Sequence, residues 1–338
     1  MLAHRLAVAT AAATVVLIVF GGLVTNTGAA LAVPDWPSTF GHNMFLFPWS
    51  GMVGGVFYEH THRLLGALVG LLTVGMAAAL WPRGGRLRVL GLVALGVVIA
   101  QGVIGGLRVI LLTDALAMVH GPLAQAFFAL VAALAFLTAP AAARPGLVVD
   151  PPLRRLALVA VAALYAQIVL GALLTHAGWL WLHIAGAVIV FTVIPMVTAR
   201  LRRGGDSIAA PLSRVLLGLL AVQLVLGVGA YLSRFSSVWI PGEQVTMLVL
   251  PVAHRLVGGL MLATAVMLAI RVVAAADNGA SASLPRRALP AAWAAHASVG
   301  RLLGASHLDR SRRPKSNGEF GGPTGEFGSP TVNSEVES

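Results

Sequence analysis

The sequence predicts an all-α polytopic membrane protein, with eight transmembrane helices arranged as two tandem four-helix-bundle halves. Three observations predict it. Apolar types make up 58% of the 338 residues and charged types only 10%, against about 25% charged in an average soluble domain. Charge-free runs of about 20 residues, the length of one crossing, recur along the chain. The arginines gather in alternate gaps between those runs, the pattern that orients a protein in a membrane. Disorder, a collagen-like fibre and an ordinary water-soluble enzyme are excluded by this composition. The formal net charge of +11 rests almost wholly on arginine, Lys315 being the one lysine. A nucleic-acid partner needs such charge on a soluble face, and none is expected where the charge sits between apolar runs. The absence of cysteine excludes disulfides, thiolate metal ligands and cysteine-held iron–sulfur clusters.

The first span runs from Leu6 to about Thr27. It is long for a cleavable leader and ends in polar Asn26–Thr27, so it reads as a retained span. The second covers about His62 to Trp81, the third Val89 to Leu107 and the fourth about Leu116 to Leu137. No charge occurs between Arg155 and Arg200. That stretch exceeds one crossing, and the polar Thr175-His176-Ala177-Gly178 divides it into spans five and six. The seventh covers about Val215 to Leu232 and the eighth about Thr246 to Ile270. Arg5 precedes span one. Arg83, Arg86 and Arg88 follow span two; Arg144, Arg154 and Arg155 follow span four; Arg200, Arg202, Arg203 and Arg214 follow span six; Arg271 follows span eight. The opposite gaps hold only Arg63, Arg108, Arg234 and Arg255, all at span ends. Both termini are therefore expected on the cytoplasmic side of a plasma membrane. The first outer loop, about Gly28 to Tyr58, carries no Lys or Arg.

Three regions are expected: an N-terminal half over 1–143, a C-terminal half over 144–275 and a tail over 276–338. In the tail Ser, Gly, Pro and Arg take over, and Gly318–Thr324 nearly repeats as Gly325–Thr331. Such sequence has too little apolar surface to fold and reads as a disordered cytoplasmic tail, with a short interfacial helix around Trp293.

The halves repeat one another. Gln101-Gly102-Val103-Ile104-Gly105 in span three matches Gln223-Leu224-Val225-Leu226-Gly227 in span seven. Gln167-Ile168-Val169-Leu170-Gly171 in span five aligns with Leu17-Ile18-Val19-Phe20-Gly21 in span one. His62 pairs with His183, and His120 with His254. Chance similarity among Leu/Val/Gly-rich helices explains one such match more readily than four in the same order. An even number of spans per half makes the repeat parallel. The glycines read as packing residues that let helices approach.

Each of those four histidines is placed at the head of an even-numbered span. An ionisable side chain inside a membrane is expensive and points to function by default. Zinc and copper sites gather three or four ligands at one point. Here each half offers two histidines on two helices with an apolar surround, which is the arrangement for a haem between two imidazoles in a four-helix bundle. One bis-histidine haem position per half is inferred. Haem propionates need cations, and Arg63 and Arg255 each directly follow a candidate ligand, with Arg108 and Arg234 at span ends on the same side.

Glu59 lies three residues before His62 and shares its face on a continuous helix. The equivalent residue of the second half is Leu180. The first half thus carries an acid/base that the second lacks, which suggests a reactive haem in the first and a structural or electron-transferring haem in the second. His60 points about 200° away from His62. His4 is expected at the cytoplasmic interface, His42 and His176 in outer loops, and His296 and His307 in the tail.

These residues resemble the haem A synthase family, membrane enzymes that convert haem O to haem A for terminal oxidases. The resemblance spans about residues 5–272. It is carried by Gly21-Gly22-Leu23-Val24-Thr25-Asn26-Thr27-Gly28, Val33-Pro34-Asp35-Trp36-Pro37, Glu59-His60-Thr61-His62-Arg63, His120, His183 and His254-Arg255. It implies that His62 and His120 bound the substrate haem O, that His183 and His254 ligate haem b, and that Glu59 is the catalytic carboxylate. The implied reaction is successive hydroxylation of a ring methyl. Haem O and haem A are the implied small-molecule partners, and the protohaem farnesyltransferase that makes haem O is the implied protein partner; a homo-oligomer stays open. Some family members carry a cysteine pair in an outer loop, which this chain lacks. Two other functions remain open at this point: a di-haem membrane cytochrome that only passes electrons, and a membrane haem carrier or assembly factor.

Overall fold

Strong helix formers fill the apolar runs, and among the described residues eight long helices result: α1 (Leu2–Asn26), α2 (Gly54–Leu80), α3 (Gly85–Leu111), α4 (Asp114–Thr138), α5 (Pro151–Ala177), α6 (Leu180–Arg203), α7 (Ala209–Phe235) and α8 (Glu243–Ser283). A computed structural model describes residues 1–140, 150–237 and 242–283, with nothing said of the side chains of Glu243 and 275–283. Among the described residues there is no strand beyond an isolated bridge between Thr39 and His42. All eight helices are long and apolar enough to cross a membrane. The protein is a membrane-spanning all-α protein. Arg144, most of the expected tail and its Trp293 helix lie outside the described residues, and α8 runs to Ser283, past the expected boundary at 276.

The ends have local causes. Asp150 caps α5, its carboxylate accepting the Leu153 N–H at 3.1 Å, with Pro151 at the first helical position where its missing N–H is harmless. Gly178, at φ +75°, ends α5 and donates its N–H to the Leu174 carbonyl at 3.1 Å. That is the left-handed cap glycine favours, and it falls at the expected polar break. Buried hydroxyls are satisfied inside their own helices: Thr10, Thr14, Thr73 and Thr198 each donate to the carbonyl four residues back. An apolar surround demands this economy.

The helices begin earlier than the apolar runs suggested. His62 lies about two turns inside α2 and His254 about three turns inside α8; His183 is in the first turn of α6. The polar cluster Glu59–Arg63 ended the apolar run, but its side chains find partners within the protein, so the helix continues through it.

In each half the four helices pack as a ring, α1–α2–α3–α4 and α5–α6–α7–α8. The halves meet through α4 against α8, α4 against α5 and α1 against α8. Replacing each helix of the first half by its counterpart in the second maps this contact pattern onto itself. The most buried helices are α4 and α8, while α3, α6 and α7 present much of their apolar surface outward, as lipid contact requires. One buried cluster joins Val69, Met76, Leu80, Ala94, Val131 and Leu134 in the first half. Another joins Leu164, Ile194, Leu201, Leu216, Leu268 and Val272 in the second. Both clusters sit toward the arginine-rich ends of the helices. The histidine level holds few fully buried apolar side chains, so the tight core supports the site from one end.

Candidate functional site

The fold brings the four histidines together as two facing pairs. The rings of His62 (α2) and His120 (α4) lie 6.4 Å apart at 71°. Those of His183 (α6) and His254 (α8) lie 6.2 Å apart at 66°. Diagonally opposite helices of each four-helix ring supply each pair. Two imidazole nitrogens each about 2 Å from one metal put the ring centres about 6 Å apart, so the spacing suits a single metal between the rings. No group of three or more His, Cys, Asp or Glu side chains among the described residues could hold a bare metal ion. Pairs without a third ligand suit a metal whose other positions are filled by a macrocycle.

A glycine on the preceding helix faces every one of these rings. A Cβ at Gly21 would stand 3.1 Å from His62, at Gly105 3.3 Å from His120, at Gly171 3.4 Å from His183 and at Gly227 3.1 Å from His254. Three glutamines sit one turn before three of those glycines. Gln101 donates to the His120 carbonyl at 3.1 Å. Gln167 donates to the His183 carbonyl at 2.9 Å and lies 3.2 Å from its Nδ1. Gln223 Nε2 lies 3.2 Å from His254 Nε2. The Nδ1 atoms of His62, His120 and His254 and the Oε1 atoms of Gln101, Gln167 and Gln223 are buried without a hydrogen-bond partner. Buried orphans of this kind call for an explanation; the Cε1–Nδ1 edge of each ring is turned to the glycine, which leaves the two facing rings of each half as the donor pair. The donor set therefore fits a bis-histidine haem in each half.

Glu59 and Arg63 are placed beside the first pair and turned to the first loop. Glu59 is 4% exposed. One of its oxygens pairs with Arg63 Nη2 at 2.8 Å, and the other accepts the Val33 N–H at 2.9 Å. Arg63 Nη1 donates to the carbonyls of Asp35 and Ser38, and Nη2 to that of Val33. Its guanidinium thus holds the loop. His60, rotated away from His62 as expected, is 1% exposed, with Nδ1 3.1 Å from the Thr39 hydroxyl and its ring 5.1 Å from Phe47. The loop crosses the first half from α2 to α3, where the Trp36 indole lies directly on Gly106. Asp35 receives the N–H groups of Phe40 and Gly41 and the Ser38 hydroxyl. Burial acts to raise its pKa, but these hydrogen bonds outweigh it and lower the value from 3.8 to about 2.

Arg255 makes one long contact, 3.4 Å from Nη2 to the Thr175 hydroxyl. It belongs to a cationic group at the histidine-bearing end. Arg108 and Arg255 both act electrostatically on His176, and Arg234 neighbours Arg255. Arg108 also pairs loosely with Asp114 at 3.6 Å, leaving its Nε without a partner. His176 is in the last turn of α5, not in an outer loop, because the helix continues to Gly178. His42 is in the loop against Phe47. His4 bonds the Ala135 carbonyl at 3.0 Å. Leu180, the counterpart of Glu59, opens α6. Sequence reasoning missed the glutamines as partners of the histidines; their signal was the Gln-x-x-x-Gly repeat, read there as packing alone.

Two comparisons bear on this geometry. The model of the family COX15-CtaA, described as cytochrome oxidase assembly protein, matches residues 50–181. That range includes Glu59, His62 and His120. A protein named Heme A synthase from Shouchella clausii (strain KSM-K16) is 33% identical over 105 residues. The match covers 30% of this chain and 34% of that relative's length.

Proposed function

We propose that this chain, which is similar to the haem A synthase family, oxidises a ring methyl of haem O to the formyl group of haem A. Each of two hydroxylations replaces a C–H bond by C–OH, with two electrons removed by an oxidant from outside this chain, and loss of water from the resulting diol leaves the aldehyde. His62 and His120 hold the substrate haem. His183 and His254 hold a haem b. The bound iron supplies the electron chemistry.

The chain's own residues position and exclude. The four histidines would hold the two groups, and the glycines let the imidazoles lie close to the neighbouring helices. Trp36 on Gly106 and the Arg63-held loop cover the first half from one side and keep water away. Glu59, within a turn of His62, is the acid/base for the hydroxylated carbon; its ion pair with Arg63 holds it in place until substrate arrives. Arg255, with Arg108 and Arg234, receives the propionates.

The single observation that carries the reading is the pair of facing histidine pairs, alike in spacing, with a buried carboxylate beside only one. A plain electron carrier has no use for that difference. The arginine-rich ends of the helices support cytoplasmic termini in a plasma membrane. The farnesyltransferase that makes haem O is the proposed partner upstream.

The test is expression in a bacterium that makes haem O but no haem A, followed by extraction and separation of the membrane haems. Haem A, or its hydroxylated precursor, is expected. Haem b and haem O alone, on a folded and haem-loaded protein, would instead make this a di-haem cytochrome or a haem carrier.

A further inference from the structure

We infer that the first loop is a membrane-inserted element: its Phe40–Val53 segment lies in the interfacial layer of the bilayer, with Phe45, Leu46 and Trp49 turned to lipid. The position of the loop carries this. His60 stands about 200° round α2 from the inward-facing His62, so it points out of the first ring, to where a spanning helix meets lipid. It is nonetheless buried, because the loop covers it. Thr39, itself fully buried, lies 3.1 Å from its Nδ1, and the Phe47 ring lies 5.1 Å from its ring. His60 is six residues inside α2, and Gly106, on which the Trp36 indole lies, is five residues from the end of α3. The loop therefore runs down beside two spanning helices for more than a turn of each, rather than standing above them.

Its composition suits that depth. Residues 36–58 contain no Asp, Glu, Lys or Arg. Leu46 and Trp49 are 78% and 81% exposed, and Phe45 and Val53 are exposed with them. Phe47, in their midst, turns inward onto His60 and Gly51. A contiguous apolar surface of this kind is disfavoured in water and marks a contact. At the membrane interface aromatic rings of this kind are at home. The main chain is equipped for the same surroundings. The N–H groups of Phe40, Phe45, Leu46 and Val53 are bonded within the loop, to the Asp35 carboxylate, the Asn43 side chain and the carbonyls of Asn43 and Gly51. Backbone groups away from water need such internal partners. The second half has no counterpart, since Gly178 and Trp179 alone join α5 to α6. The cover over the first histidine pair is thus held by the bilayer as well as by Glu59 and Arg63.

The chain has no cysteine, so single cysteines report on chosen positions. Leu46→Cys and Trp49→Cys, both at exposed side chains, are spin-labelled in the full-length protein in phosphatidylcholine nanodiscs. Collisions of each label with oxygen and with a water-soluble nickel chelate are then measured. Ile99→Cys, at an exposed position of α3, supplies the lipid reference, and Ser207→Cys, exposed between α6 and α7, the water reference. At positions 46 and 49 nickel collisions should be several-fold fewer than at 207, with the ratio of oxygen to nickel collisions between the two references. Nickel collisions as frequent as at 207 at both positions overturn the inference and leave the patch to a water-soluble protein partner. Should one variant fail to fold, the other decides. Neither result bears on the haem reading.

Discussion

A glycine sits opposite every one of the four histidines, and its missing side chain lets each imidazole lie against the neighbouring helix. That close fit makes the histidines sensitive to substitution. His183→Ala and His254→Ala should each abolish stably bound haem b, read from the pyridine haemochrome spectrum of purified protein; normal haem content in both would defeat the ligand assignment. Glu59 needs a finer substitution, because its carboxylate both adjoins His62 and latches the loop. Glu59→Gln keeps an oxygen for the Val33 N–H while removing the charge. Haem A production should fall by at least about a hundredfold, the lower range for general acid–base catalysis, with haem b retained. Undiminished haem A would remove the catalytic role and leave the latch.

At the scale of elements, the first loop has its own stability. It is held by Glu59, His60 and Arg63 on α2 and by Trp36 on Gly106 of α3. Gly106→Val would place a branched side chain where the indole lies, so Trp36 must leave. Chymotrypsin should then cut the loop near Phe45 and Phe47 several-fold faster than in the unaltered protein; equal rates would show that Trp36 does not pin it. Asp35 adds a pH dependence. Its pKa is depressed from 3.8 to about 2, so its contribution is complete above 3.8 and disappears as pH falls through about 2. Pepsin should cut the loop readily at pH 2 and slowly at pH 4, whereas Asp35→Asn should be cut readily at both.

For the whole molecule, the contact between halves is made at equivalent positions. Gln125 follows His120 by the same interval at which Gly259 follows His254, and the Gln125 side chain packs directly on Gly259. Gln125 also reaches the Arg255 carbonyl at 3.4 Å. A large residue on one half thus needs a small one on the other. Gly259→Leu should force α4 and α8 apart, destabilising by about 1–3 kcal/mol, the usual range for overpacking. A lowered thermal midpoint in detergent checks this, and an unchanged midpoint would mean that the halves are not locked there. At the far end, the buried Arg271–Asp206 pair at 2.8 Å ties α8 to the connection between α6 and α7. Burial acts to raise the Asp206 pKa, but bonds from Arg271 and from the N–H groups of Ala209 and Ile208 outweigh it and lower the value.

The sequence by itself determined the class, the number of spans, the break at Gly178, the repeat and the four histidines. Each depends on a local signal: run length against membrane thickness, a glycine that ends a helix, or a motif met twice. It placed the start of α2 too late, because a run of polar residues looks like a helix end unless their partners are known. Only the tertiary structure decided that Arg63 serves the loop, that His60 anchors Thr39, and that the glutamines meet the histidines on the next helix. Those outcomes depend on which residues lie opposite one another across helices, and the order of residues along one helix carries no record of its neighbour's register.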